Sequence, residues 1–331
     1  MKHLRAITPA VYVLGLGGVA LFIVLLTLEG AGQVGGAMAR AGWGLLAVTL
    51  YHLLQTLNDA AGWSVLIPKE HRVPLIKSFF LNWIGESINN LLPTGRVGGD
   101  IVITRMAAIW GVPLRIATAV MIVDITVGIV TKVIYVVVAA FLLIAKTGRE
   151  DLARPALLAV ISGTFAAAGF YAVQRLGMFR WTARLASHLS ASPGWDSLVQ
   201  SGQVLDQTIR LVYSRHRGVA GCYFFWILSW FIASGEIWLT LWTLGLHSSF
   251  STAVILESAA RAIRSAAFLV PGAVGVQEGG YILIGNLLGI PGEIAFALSL
   301  VRRMRELALG IPGLISWQLV EATRLWRGRR S

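Results

Sequence analysis

Two glycine- and proline-rich segments decide the fold of this chain: LPTGRVGGD at residues 92–100 and VPGAVGVQEGG at residues 270–280. Each segment interrupts otherwise apolar sequence, at residues 74–111 and 250–290. Proline ends a helix and glycine lets the chain reverse, so each break predicts non-helical backbone between two short helices. Such backbone persists at membrane depth only where protein or a water-filled cavity covers it. We therefore predict two re-entrant helical hairpins. The residues that break the helices are Pro93, Gly98, Gly99, Pro271, Gly272 and Gly275.

The composition places the chain among membrane proteins. Of its 331 residues, 56% are hydrophobic and only 13% are charged. Six apolar stretches reach the length of about 20 residues that a helix needs to cross a bilayer. These predicted spans lie at residues 9–28, 41–67, 114–145, 154–174, 218–246 and 292–321. The predicted fold is an all-α polytopic membrane protein, in which residues 1–331 form a single integral membrane domain.

The two broken stretches match one another without a gap when they are aligned at one constant offset. This alignment places Pro93 on Pro271 and Asp100 on Glu278, and we call it the repeat alignment. A chance match is the alternative to a true repeat, because two glycine-rich breaks share composition. We predict a duplicated unit of helix, hairpin and helix. The first unit covers residues 41–145 and the second covers residues 218–321.

The distribution of Lys and Arg predicts the orientation in the membrane. With the N-terminus inside, the predicted cytoplasmic segments hold 16 Lys and Arg residues, against 4 on the opposite side. Both termini are then cytoplasmic, and the predicted location is the bacterial cytoplasmic (inner) membrane. Each hairpin returns to the side from which it enters, so the two units have opposite orientations, as in the inverted repeats of secondary transporters. Residues 175–217 are predicted to form an amphipathic cytoplasmic linker between the units.

Polar residues are concentrated in the two hairpins and in the last predicted helix. Glu257, Arg261 and Arg264 recur at i, i+4 and i+7 and so share one helix face. Helix ends and free amides at the breaks carry partial positive charge, and the arginines add full charges, which together suit a phosphate group. The candidate substrate-binding residues are Asn82, Glu86, Asn89, Asn90, Arg96, Asp100, Glu257, Arg261, Arg264, Glu278, Arg302, Arg303, Arg305 and Glu306.

Other roles for the polar groups stay open from the sequence. Oppositely charged residues can neutralise each other inside a helix bundle, which is how buried ions are usually tolerated. Asp59, Asp124 and Glu236 either carry protons or form structural hydrogen bonds. The glycine-rich breaks lack the Gly-Lys-Ser/Thr of a nucleotide-binding loop, the six histidines lack metal-ligand spacing, and Cys222 is the single cysteine. We expect no cofactor, no metal site and no nucleic-acid partner.

Two parts of the sequence resemble a known family. The first contains Leu81-Asn82-Trp83, Asn89-Asn90-Leu91-Leu92-Pro93, Gly98-Gly99-Asp100 and Arg105, and the second runs from Val270 to Tyr281. Together they resemble the flippase-like membrane family that includes the transmembrane domain of lysylphosphatidylglycerol synthases. The second run also resembles a branch of membrane proteins associated with hopanoid biosynthesis. The resemblance covers nearly the whole chain.

This resemblance implies lipid translocation. An anionic or aminoacylated phospholipid, or a hopanoid-type lipid, would move between the leaflets through an arginine-lined cavity between the two hairpins. Two-domain members of the family add a soluble aminoacyl-transferase domain, whereas this sequence ends at Ser331, so we do not expect an enzyme. The expected partners are a membrane phospholipid or another polar lipid and, in addition, a lipid-synthesising enzyme.

Two alternative functions remain. One is a non-catalytic membrane assembly factor or a lipid-modifying enzyme, and a reactive pair such as His52 and Glu86 within hydrogen-bond reach would favour the enzyme. Nothing in the sequence places those two residues together. The other is an ion-coupled transporter of small anions. Clustering of Asp59, Asp124 and Glu236, with the arginines paired to acids, would favour it.

Overall fold

The computed structural model describes residues 23–92, 97–148, 153–175, 195–266 and 274–328. Within these ranges the chain forms helices, turns and short connections, and no strand. The all-α class predicted from the sequence is therefore confirmed. The helices are α1 (Ala31–Ala41), α2 (Gly44–Leu66), α3 (Leu75–Leu91), α4 (Gly98–Ile109), α5 (Leu114–Thr147), α6 (Ala153–Arg175), α7 (Trp195–Ser214), α8 (His216–Thr243), α9 (Phe250–Ala266), α10 (Val276–Leu287) and α11 (Gly292–Gly328). A 3-10 helix, Lys69–His71, lies between α2 and α3.

Prolines and glycines mark several helix boundaries. α3 begins directly after Pro74, and α5 begins directly after Pro113. Proline suits the start of a helix because the first turn leaves its N–H groups unpaired and proline has none to lose. Gly111 and Gly289 have φ angles of 102° and 72°, in the left-handed region that favours glycine. They form the turns before α5 and α11, so the same kind of turn precedes both of these long helices.

Helix packing puts α2 in the middle of the molecule. It contacts α3, α5, α8 and α11. α3 packs against α4, and α9 packs against α10, so the two broken stretches each form a pair of neighbouring helices. α11 contacts both pairs through α3 and α10. Residues from the two predicted units therefore meet around α2 and α11.

Two apolar clusters hold these helices together. The larger one includes Trp63, Leu81 and Ile103, and the second includes Leu241 and Tyr281. α7 packs against α5, and its residues Ile209 and Val212 are buried in the larger cluster. This part of the predicted linker thus contributes to the packed domain. Its residues 176–194 lie outside the described part of the chain, and its cytoplasmic position stays a prediction.

The outer surface of the helices is apolar. α5 and α8 are the two described helices that are long and apolar enough to cross a membrane. Phe141 on α5 has 71% of its surface exposed, and Phe165 on α6 has 76%. Large contiguous apolar surfaces are rare on soluble proteins, so these faces suit contact with lipid. Three other predicted spans coincide with α2, α6 and α11, and their passage through the bilayer stays a prediction. Most of the predicted span 9–28 lies outside the described residues.

The helix boundaries also follow the repeat alignment. In this alignment the first and last residues of α4 fall on the first and last residues of α10, and the first residue of α5 falls on the first residue of α11. Gly98 and Gly99 open α4, and Gly275 directly precedes α10. Pro93, Pro271 and Gly272 lie outside the described residues. The re-entrant path of the hairpins and the opposite orientation of the two units stay predictions.

Candidate functional site

A cavity of about 410 Å³ lies among α2, α3, α4, α5, α8, α9 and α11. Two of its walls differ in charge. The arginines come from α9 and α11, whereas α2, α3, α4 and α5 contribute most of the carboxylates and the amides. Of the predicted binding residues, those that line the cavity are Asn82, Glu86, Asn89, Asn90, Asp100, Arg261, Arg264, Arg302, Arg305 and Glu306. The structure thus gathers side chains from both predicted units around one space.

Asp59 and Asp124 line the same cavity, together with Lys132. The indole Nε1 of Trp226 donates a hydrogen bond to Asp124 Oδ1 at 3.0 Å, and the thiol of Cys222 lies 3.4 Å from the same oxygen. Both partners are neutral donors, so they orient this carboxylate without cancelling its charge. Asp124 is therefore available to a cationic group in the cavity.

Two arginines share one buried acid on the second wall. Glu257 accepts hydrogen bonds from Arg261 and, at 2.8 Å, from Nη1 of Arg302. The Arg261 guanidinium also lies over the ring of Trp230, 4.7 Å from its centroid, in cation–π geometry. Arg302 donates a further hydrogen bond to the hydroxyl of Tyr281 at 2.9 Å. Glu257 does not itself line the cavity, so it acts by holding both arginines there.

Glu306 joins the remaining arginines of this wall. Nη1 of Arg264 donates to Glu306 Oε1 at 2.6 Å, and Nη2 of Arg264 reaches Asn90 Oδ1 at 3.4 Å. The same Glu306 oxygen lies 3.7 Å from Nη2 of Arg305 and 3.8 Å from Nε of Arg302. One carboxylate thus faces three guanidinium groups, which leaves this wall with more positive than negative charge.

Glu278 and Arg303, like Glu257, do not line the cavity. Glu278 Oε2 accepts from the backbone N–H of Gly275 at 2.7 Å, which makes it a cap for the N-terminus of α10. Its other oxygen accepts from Ser299 at 2.9 Å and from Nε of Arg303 at 2.5 Å. This pair ties α10 to α11. Arg96 lies outside the described residues.

His52 occupies a position that the sequence did not reveal. Its Nε2 lies 2.7 Å from Glu86 Oε1, and its Nδ1 lies 2.7 Å from Glu236 Oε2. Arg305 donates from Nη1 to both oxygens of Glu236, each at 2.7 Å, and the same Nη1 lies 2.5 Å from His52 Nδ1. His52 and Arg305 line the cavity, whereas Glu236 contacts both of them and does not line it.

One feature of the sequence could have pointed to His52. The polar residues His52, Gln55, Thr56 and Asp59 recur at i, i+3, i+4 and i+7 along α2, and all four line the cavity. This spacing puts them on one face of an otherwise apolar helix. It resembles the spacing of Glu257, Arg261 and Arg264, which did direct attention to α9.

The residues that line the cavity come from a part of the chain that matches a known family. Residues 12–313 match the family described as "Lysylphosphatidylglycerol synthase TM region". The chain belongs to this family. The match covers every residue that lines the cavity and both broken stretches. Membership makes this a membrane protein related to lipid modification or translocation. Searches of curated proteins and of solved structures gave no match to the chain.

His, Cys, Asp and Glu side chains are the usual metal ligands, and several of them line the cavity among the described residues. Within them, no group of three or more His, Cys, Asp or Glu side chains is arranged to hold a metal ion. The one histidine in the cavity is flanked on Nδ1 by the guanidinium of Arg305, which opposes the approach of a cation.

Proposed function

We propose that this protein moves a polar lipid between the leaflets of the bacterial cytoplasmic membrane. The headgroup would pass through the cavity while the acyl chains stay in the bilayer. The observation that carries the proposal is a cavity with charged groups on both walls inside a membrane domain. A single charge at the bilayer centre costs roughly 2.5 kcal/mol or more, so such a concentration of charges indicates a pathway for a polar group.

The two walls suit a headgroup that carries both charges. Arg261, Arg264 and Arg302 offer guanidinium groups to a phosphate, which arginine binds through planar paired donors. Asp59 and Asp124 face the cavity from the other wall and suit an ammonium group. An aminoacylated phospholipid has both a phosphate and an ammonium group. An anionic phospholipid or a hopanoid-type lipid with a polar head would use one wall more than the other.

The ion pairs in the cavity wall do not use every N–H donor of the arginines. A guanidinium has five N–H donors, and each carboxylate partner takes only one or two of them. Nε of Arg302 and Nε of Arg305 are buried without a hydrogen-bond partner among the described residues. These two atoms have almost no accessible surface, so a phosphate oxygen in the cavity would bind other N–H groups of the arginines that line it. The pairing therefore stabilises the wall and does not prevent anion binding.

The proposed path uses the predicted architecture. The two helix pairs, α3–α4 and α9–α10, are proposed to be re-entrant hairpins of an inverted repeat, with both termini in the cytoplasm. Cavity residues at the hairpins would then reach the middle of the bilayer, where transporters of this plan bind their substrates. The lipid leaves chemically unchanged, so we do not propose an enzyme. A lipid-synthesising enzyme would act before or after it.

Translocation in proteoliposomes tests this function. The substrate is a fluorescent aminoacylated phospholipid whose labelled copies in the outer leaflet are quenched by an impermeant reductant. Arg261→Gln removes a charge from the cavity, and Arg115→Gln, at the exposed start of α5, is the matched control. A charge-assisted hydrogen bond contributes about 1.5–3 kcal/mol, so Arg261→Gln should slow translocation by about tenfold or more. Arg115→Gln should keep the wild-type rate. Equal rates for both variants would remove the support for this pathway.

The same liposomes separate two competing functions. The contact of His52 Nε2 with Glu86 at 2.7 Å is the kind of pair that a lipid-modifying enzyme would use as a base. A change in lipid mass that depends on His52 would establish the enzyme. The pairing of the arginines with acids, and the presence of Asp59 and Asp124 in one cavity, favour a transporter of small anions. Uptake of inorganic phosphate without lipid movement would establish that function instead.

A further inference from the structure

The Nδ1 atom of His52 lies between a hydrogen-bond donor and an acceptor. Nη1 of Arg305 is 2.5 Å away and can only donate. Glu236 Oε2 is 2.7 Å away and, as a carboxylate oxygen, can only accept. A ring nitrogen cannot satisfy both partners at once, because it either carries a proton or offers its lone pair. The two contacts therefore correspond to two protonation states of one histidine.

Each state has its hydrogen bonds already in place. In the neutral state, Nε2–H donates to Glu86 at 2.7 Å and Nδ1 accepts from Arg305. In the charged state, Nδ1–H donates to Glu236 instead, and the bond from Nε2 to Glu86 is kept. A buried polar group without a partner is costly, and neither state of the ring creates one. This arrangement lowers the cost of gaining or losing a proton inside the protein.

The charges around the ring come from four further helices. They are Glu86 on α3, Glu236 on α8, Arg264 on α9, and Arg302, Arg305 and Glu306 on α11; Tyr51 on α2 itself interacts electrostatically with Glu236. Two carboxylates and one guanidinium contact the imidazole directly, so a proton on His52 brings this inner group to neutrality. Arg264 and Arg302 lie outside this inner group, and their positive charges favour the neutral form of the ring.

A proton can reach this site from the cavity. His52 lines the cavity, and 34% of the side chain of Glu86 is exposed there. Glu86 also accepts from Thr56 at 3.3 Å and from Asn90 at 3.4 Å, which hold its carboxylate beside the ring. The contact of His52 Nε2 with Glu86 thus connects a buried nitrogen to the space through which the lipid headgroup would pass.

We propose that His52 binds and releases a proton during the transport cycle, and that this couples lipid movement to the proton gradient across the membrane. The coupling rests on the proposed function; the proton site does not. Protonation changes the partner of Nδ1 from Arg305 on α11 to Glu236 on α8, so it changes which helix is held against α2. α8 and α11 both contribute residues to the cavity wall. Each protonation state therefore favours a different arrangement of the pathway.

Translocation under an imposed pH difference tests the coupling. Proteoliposomes carry the wild type, His52→Gln or His247→Gln, where His247 is an exposed histidine between α8 and α9 and serves as the control. Glutamine keeps a donor and an acceptor and cannot titrate in this range. The wild type and His247→Gln should translocate the labelled lipid severalfold faster with one direction of the gradient than with the other. His52→Gln should have the same rate in both directions. Gradient dependence that survives in His52→Gln, or is absent from the wild type, would overturn the coupling.

Nitrogen NMR tests the proton site without any transport assay. The full chain is labelled with ¹⁵N-histidine in detergent, and the signals missing from His52→Gln belong to His52. These signals should move from neutral to charged imidazole positions as the sample is acidified from alkaline to acidic pH. Signals that stay fixed would refute the site. Absence of translocation in the wild type would refute the proposed function, and the NMR result would still decide the proton site.

Discussion

Buried and exposed ion pairs of this protein differ in their surroundings. The side chains of Arg305 and Glu236 are only 4% and 6% exposed, whereas that of Arg105, which contacts Glu321 at 2.5 Å, is 59% exposed. A buried pair is tolerated because each charge satisfies the other, and removing one partner leaves an uncompensated charge. An exposed pair loses little when it is broken, because water solvates both groups. The charged network around the cavity should therefore contribute to stability as well as to binding.

Alanine substitution measures this difference. Arg305→Ala should lower the free energy of unfolding by about 3–5 kcal/mol, because Glu236 and His52 lose their buried partner. Arg105→Ala should lower it by less than about 1 kcal/mol. Denaturant unfolding in detergent micelles gives both values. A loss for Arg305→Ala as small as that for Arg105→Ala would show that water reaches the cluster freely.

The first helix pair depends on close contact between two backbones. A Cβ atom on Gly99 of α4 would lie 2.1 Å from the carbonyl oxygen of Gly85 on α3, far inside van der Waals contact. The backbone N–H of Gly99 also donates to Asn89 Oδ1 at 2.8 Å, which joins the ends of the two helices. Only glycine fits here, and backbone atoms cannot move aside as a flexible side chain can. α3 and α4 thus hold the cavity residues Glu86 and Asn89 in place through this contact.

A pair of glycine substitutions tests the contact between α3 and α4. Gly99→Ala should destabilise the protein by about 1–3 kcal/mol or more, as overpacked sites do. Gly169→Ala on α6 has no atom within 4 Å of the new Cβ, so it should be neutral or stabilising by up to about 1 kcal/mol through helix propensity. Thermal unfolding in detergent compares the two variants. If Gly99→Ala were as stable as Gly169→Ala, the close approach of the helices would be wrong.

Equivalent positions of the two predicted units face one cavity with opposite charges. In the repeat alignment Glu86 falls on Arg264 and Asp124 falls on Arg302, and all four line the cavity. The cavity between the two predicted units is therefore asymmetric in charge. This asymmetry suits a headgroup with a negative and a positive end.

Labelling of two single cysteines tests the proposed opposite orientation of the units. Lys69 falls on His247 in the repeat alignment, and both are exposed in the connections before α3 and α9. In a Cys222→Ser background, which keeps a donor for Asp124, an impermeant thiol reagent should label Lys69→Cys only from the cytoplasm. It should label His247→Cys only from outside. Labelling of both cysteines from the same side would contradict an inverted repeat.

The sequence by itself determined the membrane class, the helical character and the family. It also indicated the boundaries around α4, α5, α10 and α11, because proline, glycine and apolar length act locally along the chain. Polar spacing on α9 likewise predicted a shared face, and Arg261 and Arg264 of that face line the cavity. These features depend on residues within a few helical turns of each other, so periodicity is enough to detect them.

Only the tertiary structure decided which charged groups meet. His52 lies 34 residues from Glu86, 184 from Glu236 and 253 from Arg305, and no local pattern specifies contacts at such separations. Packing of α2 between α3, α8 and α11 brings them within hydrogen-bond distance. Glu278 caps α10 through a local contact with Gly275, whereas its contacts with Ser299 and Arg303 on α11 depend on helix packing. Helix faces follow from spacing, whereas partners across helices follow from how those faces pack.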